Sequence, residues 1–89
     1  MTDFLSAHAR VRMQQRGVCI EALEDVLSFG REAFDHHGGI VVFLDKAAKR
    51  RLKRNKGKAG SKALGLYAVI GADGLVKTVG HRYQRIRRR

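Results

Sequence analysis

Acidic residues are scarce in this 89-residue sequence: eight Asp and Glu stand against nineteen Lys and Arg, a formal net charge of +11. This scarcity points away from a cationic partner and indicates a polyanionic one, because phosphates neutralised by Lys and Arg release condensed counterions. RNA or DNA fits first, an anionic membrane surface second and an acidic protein third. The hydrophobic fraction of 44% suits one modest core. We therefore expect a single domain over residues 1–89.

Cysteine and long apolar runs are also nearly absent. The single Cys19 excludes an internal disulfide, which fits a reducing compartment, and we interpret its side chain as a small buried hydrophobe. No apolar run approaches the roughly 18 residues that a membrane span requires. Residues 1–5 lack the basic and long apolar regions of a signal peptide. We expect a cytoplasmic protein without a membrane partner.

Metal-ligand spacing and a phosphate-binding glycine loop are absent as well. One Cys and four dispersed His match no zinc site, and the adjacent His36 and His37 would face opposite sides of a strand. Gly38-Gly39 lacks the Gly and Lys pattern that surrounds a phosphate loop. There is no proline, repeat or second domain. The sequence predicts neither a metal ion nor a cofactor.

The segment from Ser6 to Gly17 has the features of a short helix with a cationic flank. The Ser6 hydroxyl can cap its start, and Gly17 can take the left-handed conformation that ends a helix. Helical spacing gives it an apolar stripe made of Leu5, Ala9 and Met13.

Three basic or titratable side chains follow one another at i, i+4 and i+8 along that stripe: His8, Arg12 and Arg16. An imidazole in line with two guanidiniums suits an anionic ligand such as phosphate. The alternative is structural, because arginines beside an apolar stripe often cover it with their methylene groups and keep their charge in water.

The remaining pattern predicts an α+β domain. Apolar spacing indicates a second helix over residues 20–27 that ends at Gly30, and we interpret the two helices as a hairpin with an acidic outer face. A period of two then predicts four strands: residues 32–37, 40–44, 64–70 and 75–80. Gly38-Gly39 would form a two-residue hairpin turn. The strand at 40–44 is apolar on both faces, so we expect it at the centre of a sheet covered by helices on one side.

A basic segment separates the second and third strands. From Lys46 to Lys62 there are nine Lys or Arg and no acid. Asp45 can cap a basic helix over about 46–56, with a mobile loop from Gly57 to Ser61. We expect this segment to contact nucleic acid, and the alternative is a solvated face. The residues predicted to bind RNA are Lys46, Lys49, Arg50, Lys53, Arg54, Lys56 and, in the basic terminus, Arg85.

The two ends of the chain carry the candidate catalytic residues: His8, Arg12, Arg16, His81, Arg82 and Tyr83. If the first helix packs across the sheet, these two clusters could share one cleft. Metal-free RNA cleavage requires a base for the 2′-hydroxyl, an acid for the leaving 5′-oxygen and cations that oppose the charge on the phosphorane. Imidazoles with an unperturbed pKa of about 6.5 and guanidiniums are suitable groups.

One motif resembles an uncharacterised bacterial family with the signature S-x-H-A-x-x-R-M-x-x-R-G-I. It reads Ser6-x-His8-Ala9-x-x-Arg12-Met13-x-x-Arg16-Gly17-Val18. The segments Phe43-Leu44-Asp45-Lys46 and Thr78-Val79-Gly80-His81-Arg82 also match the family. That family is similar to the RelE-like and BrnT-like toxins, which belong to the barnase, EndoU, colicin and RelE group of ribonucleases.

The resemblance implies two amino-terminal helices packed on a four-stranded antiparallel sheet. It also implies a toxin that cleaves RNA without a metal ion and leaves a 2′,3′-cyclic phosphate. RNA, free or on the ribosome, and an acidic antitoxin protein are the partners expected. Two alternatives remain open: a non-catalytic module that binds RNA or DNA, and a toxin of this fold directed at a protein. Proximity of His8 to His81 would favour cleavage over binding alone.

Overall fold

The first helix begins and ends where the sequence predicts. A computed structural model describes residues 4–34 and 38–81, and in it α1 spans Ala7–Arg16. The Ser6 hydroxyl accepts a hydrogen bond from the Ala9 N–H at 3.1 Å, and Gly17 has a φ of 64°, a left-handed conformation that glycine adopts readily. The predicted apolar stripe is confirmed, because its three residues are all buried: Leu5, Ala9 and Met13.

Four strands form one antiparallel sheet in the order β1-β2-β3-β4. Their bounds are Arg31–Phe34, Ile40–Phe43, Leu66–Ile70 and Val76–His81. The predicted α+β class, the antiparallel sheet and the central position of β2 are therefore confirmed. The third predicted strand starts two residues late, because Leu64 and Gly65 lie in a turn.

The second helix, α2, spans Ile20–Phe29 and lies over the central strands. Its Ala22 and Val26 pack into one core cluster with Val42 of β2, whereas Leu23 packs into another with Val79 of β4. α1 instead packs along β4. The two helices thus cover different strands and are not the simple hairpin that the sequence suggested.

The register of β1 and β2 differs from the one predicted. A two-residue turn at Gly38-Gly39 would pair the residues on either side of it, whereas Ile40 pairs with Phe34. Gly38 has a φ of 84°, which favours glycine. His36 and His37 lie outside the described residues.

A third helix, α3, spans Lys46–Lys56, so the predicted basic helix is confirmed. Asp45 caps it, since its Oδ1 accepts a hydrogen bond from the Ala48 N–H at 2.9 Å. The predicted mobile loop is wrong: Gly57–Ala63 forms a 3₁₀ helix. Gly60 lies so close to Leu52 that a Cβ on it would be 2.8 Å from the Leu52 Cγ, which explains how this segment packs on α3.

The register assigns each residue near the end of β4 to one face of the sheet, because directly paired residues share a face. His81 pairs with Leu66 and Val79 pairs with Ala68, on the face that the helices cover. Tyr67 pairs with Gly80 on the opposite face.

β4 is an edge strand, and α1 runs beside it in the same direction. At the start of β4, the Val76 N–H donates to the Phe4 carbonyl at 2.7 Å, and the Ser6 N–H donates to the Val76 carbonyl at 2.9 Å. Near its end, Arg16 donates to the Val79 carbonyl at 2.9 Å. These contacts satisfy edge groups that would otherwise be open to another strand.

Candidate nucleic-acid interface

The outer side of α3 carries most of the predicted RNA-binding cations. Ala48 and Leu52 are its buried residues, as the sequence predicted. Five exposed cations make up the surface that we call the basic face of α3: Lys46, Lys49, Arg50, Lys53 and Arg54. Within residues 4–34 and 38–81, none of the five forms an ion pair. The basic face therefore has the charge and exposure that phosphate binding requires.

Two other cations of α3 hold the helix against α2 instead. The Arg51 guanidinium donates to the Phe29 carbonyl at 3.0 Å. The Lys56 Nζ lies 2.7 Å from Oδ1 of Asp25, whose side chain is only 7% exposed. The hydrogen bond and the negative charge of Asp25 raise the pKa of Lys56 above its usual 10.5. Lys56 is among the residues predicted to bind RNA, whereas its ammonium is bonded to a buried carboxylate.

We expect Lys56→Met to lower the melting temperature more than Lys53→Met does. The first change leaves the buried Asp25 without its cation, whereas Lys53 is exposed and forms no ion pair among the described residues. Since the pKa of Lys56 is raised, this stabilisation is complete below pH 10.5 and is lost only as the pH rises through the raised value. Thermal melts by circular dichroism at neutral pH provide the measurement. Equal melting temperatures would contradict a structural role for Lys56.

The three candidate residues on α1 are spread along the edge beside β4. His8 is exposed, and its Nε2 accepts a hydrogen bond from Arg12 Nε at 3.2 Å. Arg16 lies two helical turns beyond His8, about 12 Å along the axis at a rise of 1.5 Å per residue.

Arg16 reaches across the edge of β4. Its NH1 donates to the Val79 carbonyl at 2.9 Å and would lie 2.6 Å from a Cβ on Gly80. The Tyr67 hydroxyl would lie 3.1 Å from that same Cβ. His81 follows Gly80 directly as the last residue of β4, and its side chain lies on the helix-covered face, opposite Tyr67 and Gly80. We call these four residues, Arg16, Tyr67, Gly80 and His81, the β4 edge cluster.

His8 and His81 are not brought together. α1 and β4 start side by side and run in the same direction, so His8 lies near the start of β4 and His81 at its other end. Arg16, not His8, is the α1 residue that reaches the end of β4. Arg82, Tyr83 and Arg85 lie outside the described residues.

The β4 edge cluster and the basic face of α3 are separate surfaces. α2 lies between α1 and α3, because its residues pack into a different core cluster on each side. Its exposed side includes Glu21 and Glu24. A nucleic acid that contacts both surfaces must therefore pass around the exposed acidic side of α2.

Tyr67 is the member of the cluster that sequence analysis missed. It lies within an apolar segment, Leu64–Ile70, whose pattern predicts a strand and gives no sign of a polar site. Its only sequence signal is a phenol within that run. Its proximity to Arg16 and Gly80 depends on the strand register and on the packing of α1.

Neither a metal site nor a membrane span is found in the part of the chain that the structure describes. No three His, Cys, Asp or Glu side chains there could hold a metal ion together, and no described helix is long and apolar enough to cross a membrane. Comparison with protein-family models, with curated proteins and with solved structures finds no match for this chain.

Proposed function

We propose that this protein binds RNA through the basic face of α3 and cleaves it, without a metal ion, at the β4 edge cluster. The observation that carries the proposal is the arrangement of Arg16. Its guanidinium is held by the Val79 carbonyl, forms no ion pair among the described residues and lies beside Gly80, the residue before His81 in β4. A strongly basic protein thus places an exposed guanidinium at the edge of β4, one residue along the chain from an imidazole on the other face of the strand.

In the proposed reaction, the 2′-oxygen attacks the adjacent phosphorus and the bond to the 5′-oxygen breaks. The products are a 2′,3′-cyclic phosphate and a free 5′-hydroxyl. The His81 imidazole can serve one of the two proton transfers and solvent water the other, since histidine is the side chain that most often acts as a general acid or base. The planar Arg16 guanidinium can donate to the phosphorane oxygens as their negative charge increases.

The architecture supports a relation to the RelE-like and barnase-like ribonucleases. The order is two helices, two strands, a helix and two strands, with an antiparallel sheet covered by helices. We propose on this basis a cytoplasmic toxin of that group that acts on messenger RNA, free or on the ribosome. A net charge of +11 would suit an acidic antitoxin protein as its inhibitor.

Incubation of the purified protein with end-labelled RNA in EDTA tests the cleavage proposal. We expect cleavage in the chelator and a 2′,3′-cyclic phosphate at the new 3′ ends. Intact RNA under conditions in which the protein binds it would contradict cleavage and leave the second candidate function, binding alone. The position of His8 near the start of β4 and of His81 at its end favours that candidate, because cleavage by a pair of imidazoles needs both at one phosphate.

Reversing three charges on the basic face of α3 tests the binding proposal. We expect the variant with Lys49, Arg50 and Lys53 changed to Glu to bind RNA at least tenfold more weakly. Loss of three phosphate contacts should reduce the slope of log affinity against log salt by roughly two, at about 0.7 per contact for single strands. Fluorescence anisotropy of labelled RNA at several salt concentrations provides both quantities.

A matched control separates the position of these charges from their number. Reversal of Lys58, Lys62 and Lys77 changes the net charge equally but leaves the basic face of α3 intact. We expect a smaller loss of affinity in this control. If both triple variants bind equally well, or if the salt slope of the first is unchanged, the basic face of α3 is only a solvated surface.

A further inference from the structure

Tyr67 is the part of the β4 edge cluster that the proposed cleavage does not use. It lies on the sheet face opposite the helices, paired with Phe43 on one side and with Gly80 on the other. Phe43 is almost fully buried, at 2% exposure, whereas Tyr67 is half-buried. Because Gly80 has no side chain, no side chain from β4 covers the Tyr67 ring at this position. A Cβ there would lie 3.0 Å from the ring carbon Cε1.

The Arg16 guanidinium, which comes from α1, also lies beside Gly80. One of its N–H groups donates to the Val79 carbonyl, which fixes the guanidinium at the strand edge. A guanidinium has five N–H donors, so most of them remain for a ligand. No carboxylate in the described ranges neutralises it. An oriented, exposed cation and a half-buried aromatic ring thus meet beside Gly80.

We propose that Tyr67 and Arg16 together bind one nucleotide of single-stranded RNA, with the base stacked on the Tyr67 ring and the adjoining phosphate held by Arg16. This inference rests on the proposed function and specifies that the RNA is bound as a single strand. A guanidinium matches the geometry of a phosphate, and an aromatic ring accepts any base that is free of its own stack. A paired base in a duplex cannot stack on the ring, so the site selects single strands without selecting a sequence.

NMR spectra of the tyrosine rings test this placement directly. The chain has two tyrosines, so ¹³C-tyrosine labelling gives two sets of ring signals, and Tyr83→Phe identifies those of Tyr67. The probe is a 2′-O-methyl oligoadenylate of about eight nucleotides, a length within the usual site sizes for single strands, which attack by the 2′-oxygen cannot cleave. We expect the Tyr67 ring protons to move upfield as the probe binds. Inorganic polyphosphate, which has the charge but no bases, should leave them in place.

Two variants distinguish ring stacking from a contact of the hydroxyl. Tyr67→Ala should weaken binding of the same probe by roughly fivefold or more, the effect of losing one stacked base, while Tyr67→Phe should stay within roughly twofold of the wild type. Affinity for polyphosphate should be the same in all three proteins. The wild-type ring signals provide the result even if Tyr67→Ala fails to fold.

The outcomes separate this inference from the function on which it rests. If anisotropy shows that the probe binds while the Tyr67 signals stay unchanged, or if polyphosphate shifts them equally, the inference is overturned and RNA binding stands. If Tyr67→Phe loses as much affinity as Tyr67→Ala, the hydroxyl and not the ring makes the contact, and stacking is overturned. If the wild type binds no RNA, the proposed function fails and the inference fails with it.

Discussion

Replacing His81 with alanine is expected to slow RNA cleavage by about 10²–10⁴-fold, the usual effect of losing a general acid or base. His81 is the last residue of β4 and follows Gly80, where Arg16 crosses the strand edge, so a substrate bound at the end of this edge would lie within the region that both side chains border. RNA binding should change little, because the basic face of α3 supplies most of the charge. Rates of cleavage in EDTA and anisotropy on the same protein provide the two measurements.

His8→Ala is the matched control, because it also removes one imidazole but from the start of α1, the end farther from Arg16. His8 bonds to Arg12 and lies about 12 Å along the helix from Arg16. We expect its loss to reduce cleavage less than tenfold. A folded His81→Ala protein that cleaves at the wild-type rate would contradict the proposed site. A larger loss in His8→Ala than in His81→Ala would place the chemistry on α1 instead.

Leu44→Ala is expected to lower the free energy of unfolding by about 2–5 kcal/mol, the range for removing a leucine side chain from a packed core. Leu44 is fully buried in the cluster that joins α2, α3 and β2. Small domains are stable by only about 5–15 kcal/mol in total, so the variant should be close to unfolding at moderate temperature. Val42→Ala in the same cluster removes fewer atoms and should destabilise less.

Phe34→Ala provides the control for this effect. It removes a larger side chain, but Phe34 is 89% exposed at the edge strand β1, so its loss should change the free energy of unfolding by only about 0.5 kcal/mol or less. Urea denaturation of both variants gives the free energies and their denaturant slopes. If Leu44→Ala and the wild type have the same urea midpoint, the core assignment of Leu44 is wrong.

Local sequence signals correctly predicted the helices and most strands. The hydroxyl of Ser6 and the φ of Gly17 act within one turn of the chain, and so does the carboxylate of Asp45 at the start of α3. Apolar periodicity likewise reports which residues of one element face the core. Two local predictions failed. Gly57–Ala63 forms a 3₁₀ helix that packs on Leu52 of α3, and Ile40 pairs with Phe34, a register that a two-residue Gly38-Gly39 turn does not give.

The candidate site was predicted only in part, because it depends on how elements pack. The sequence by itself determined a basic helix, a cationic flank on α1 and an imidazole at the end of the last strand. Only the tertiary structure decided that Lys56 binds Asp25 while its neighbours face outward. It also decided that α1 and β4 run in the same direction, which separates His8 from His81 and brings Arg16 to Tyr67. Side-chain chemistry and spacing are local properties, whereas helix direction and strand register are fixed by burial of the apolar surface that distant segments share.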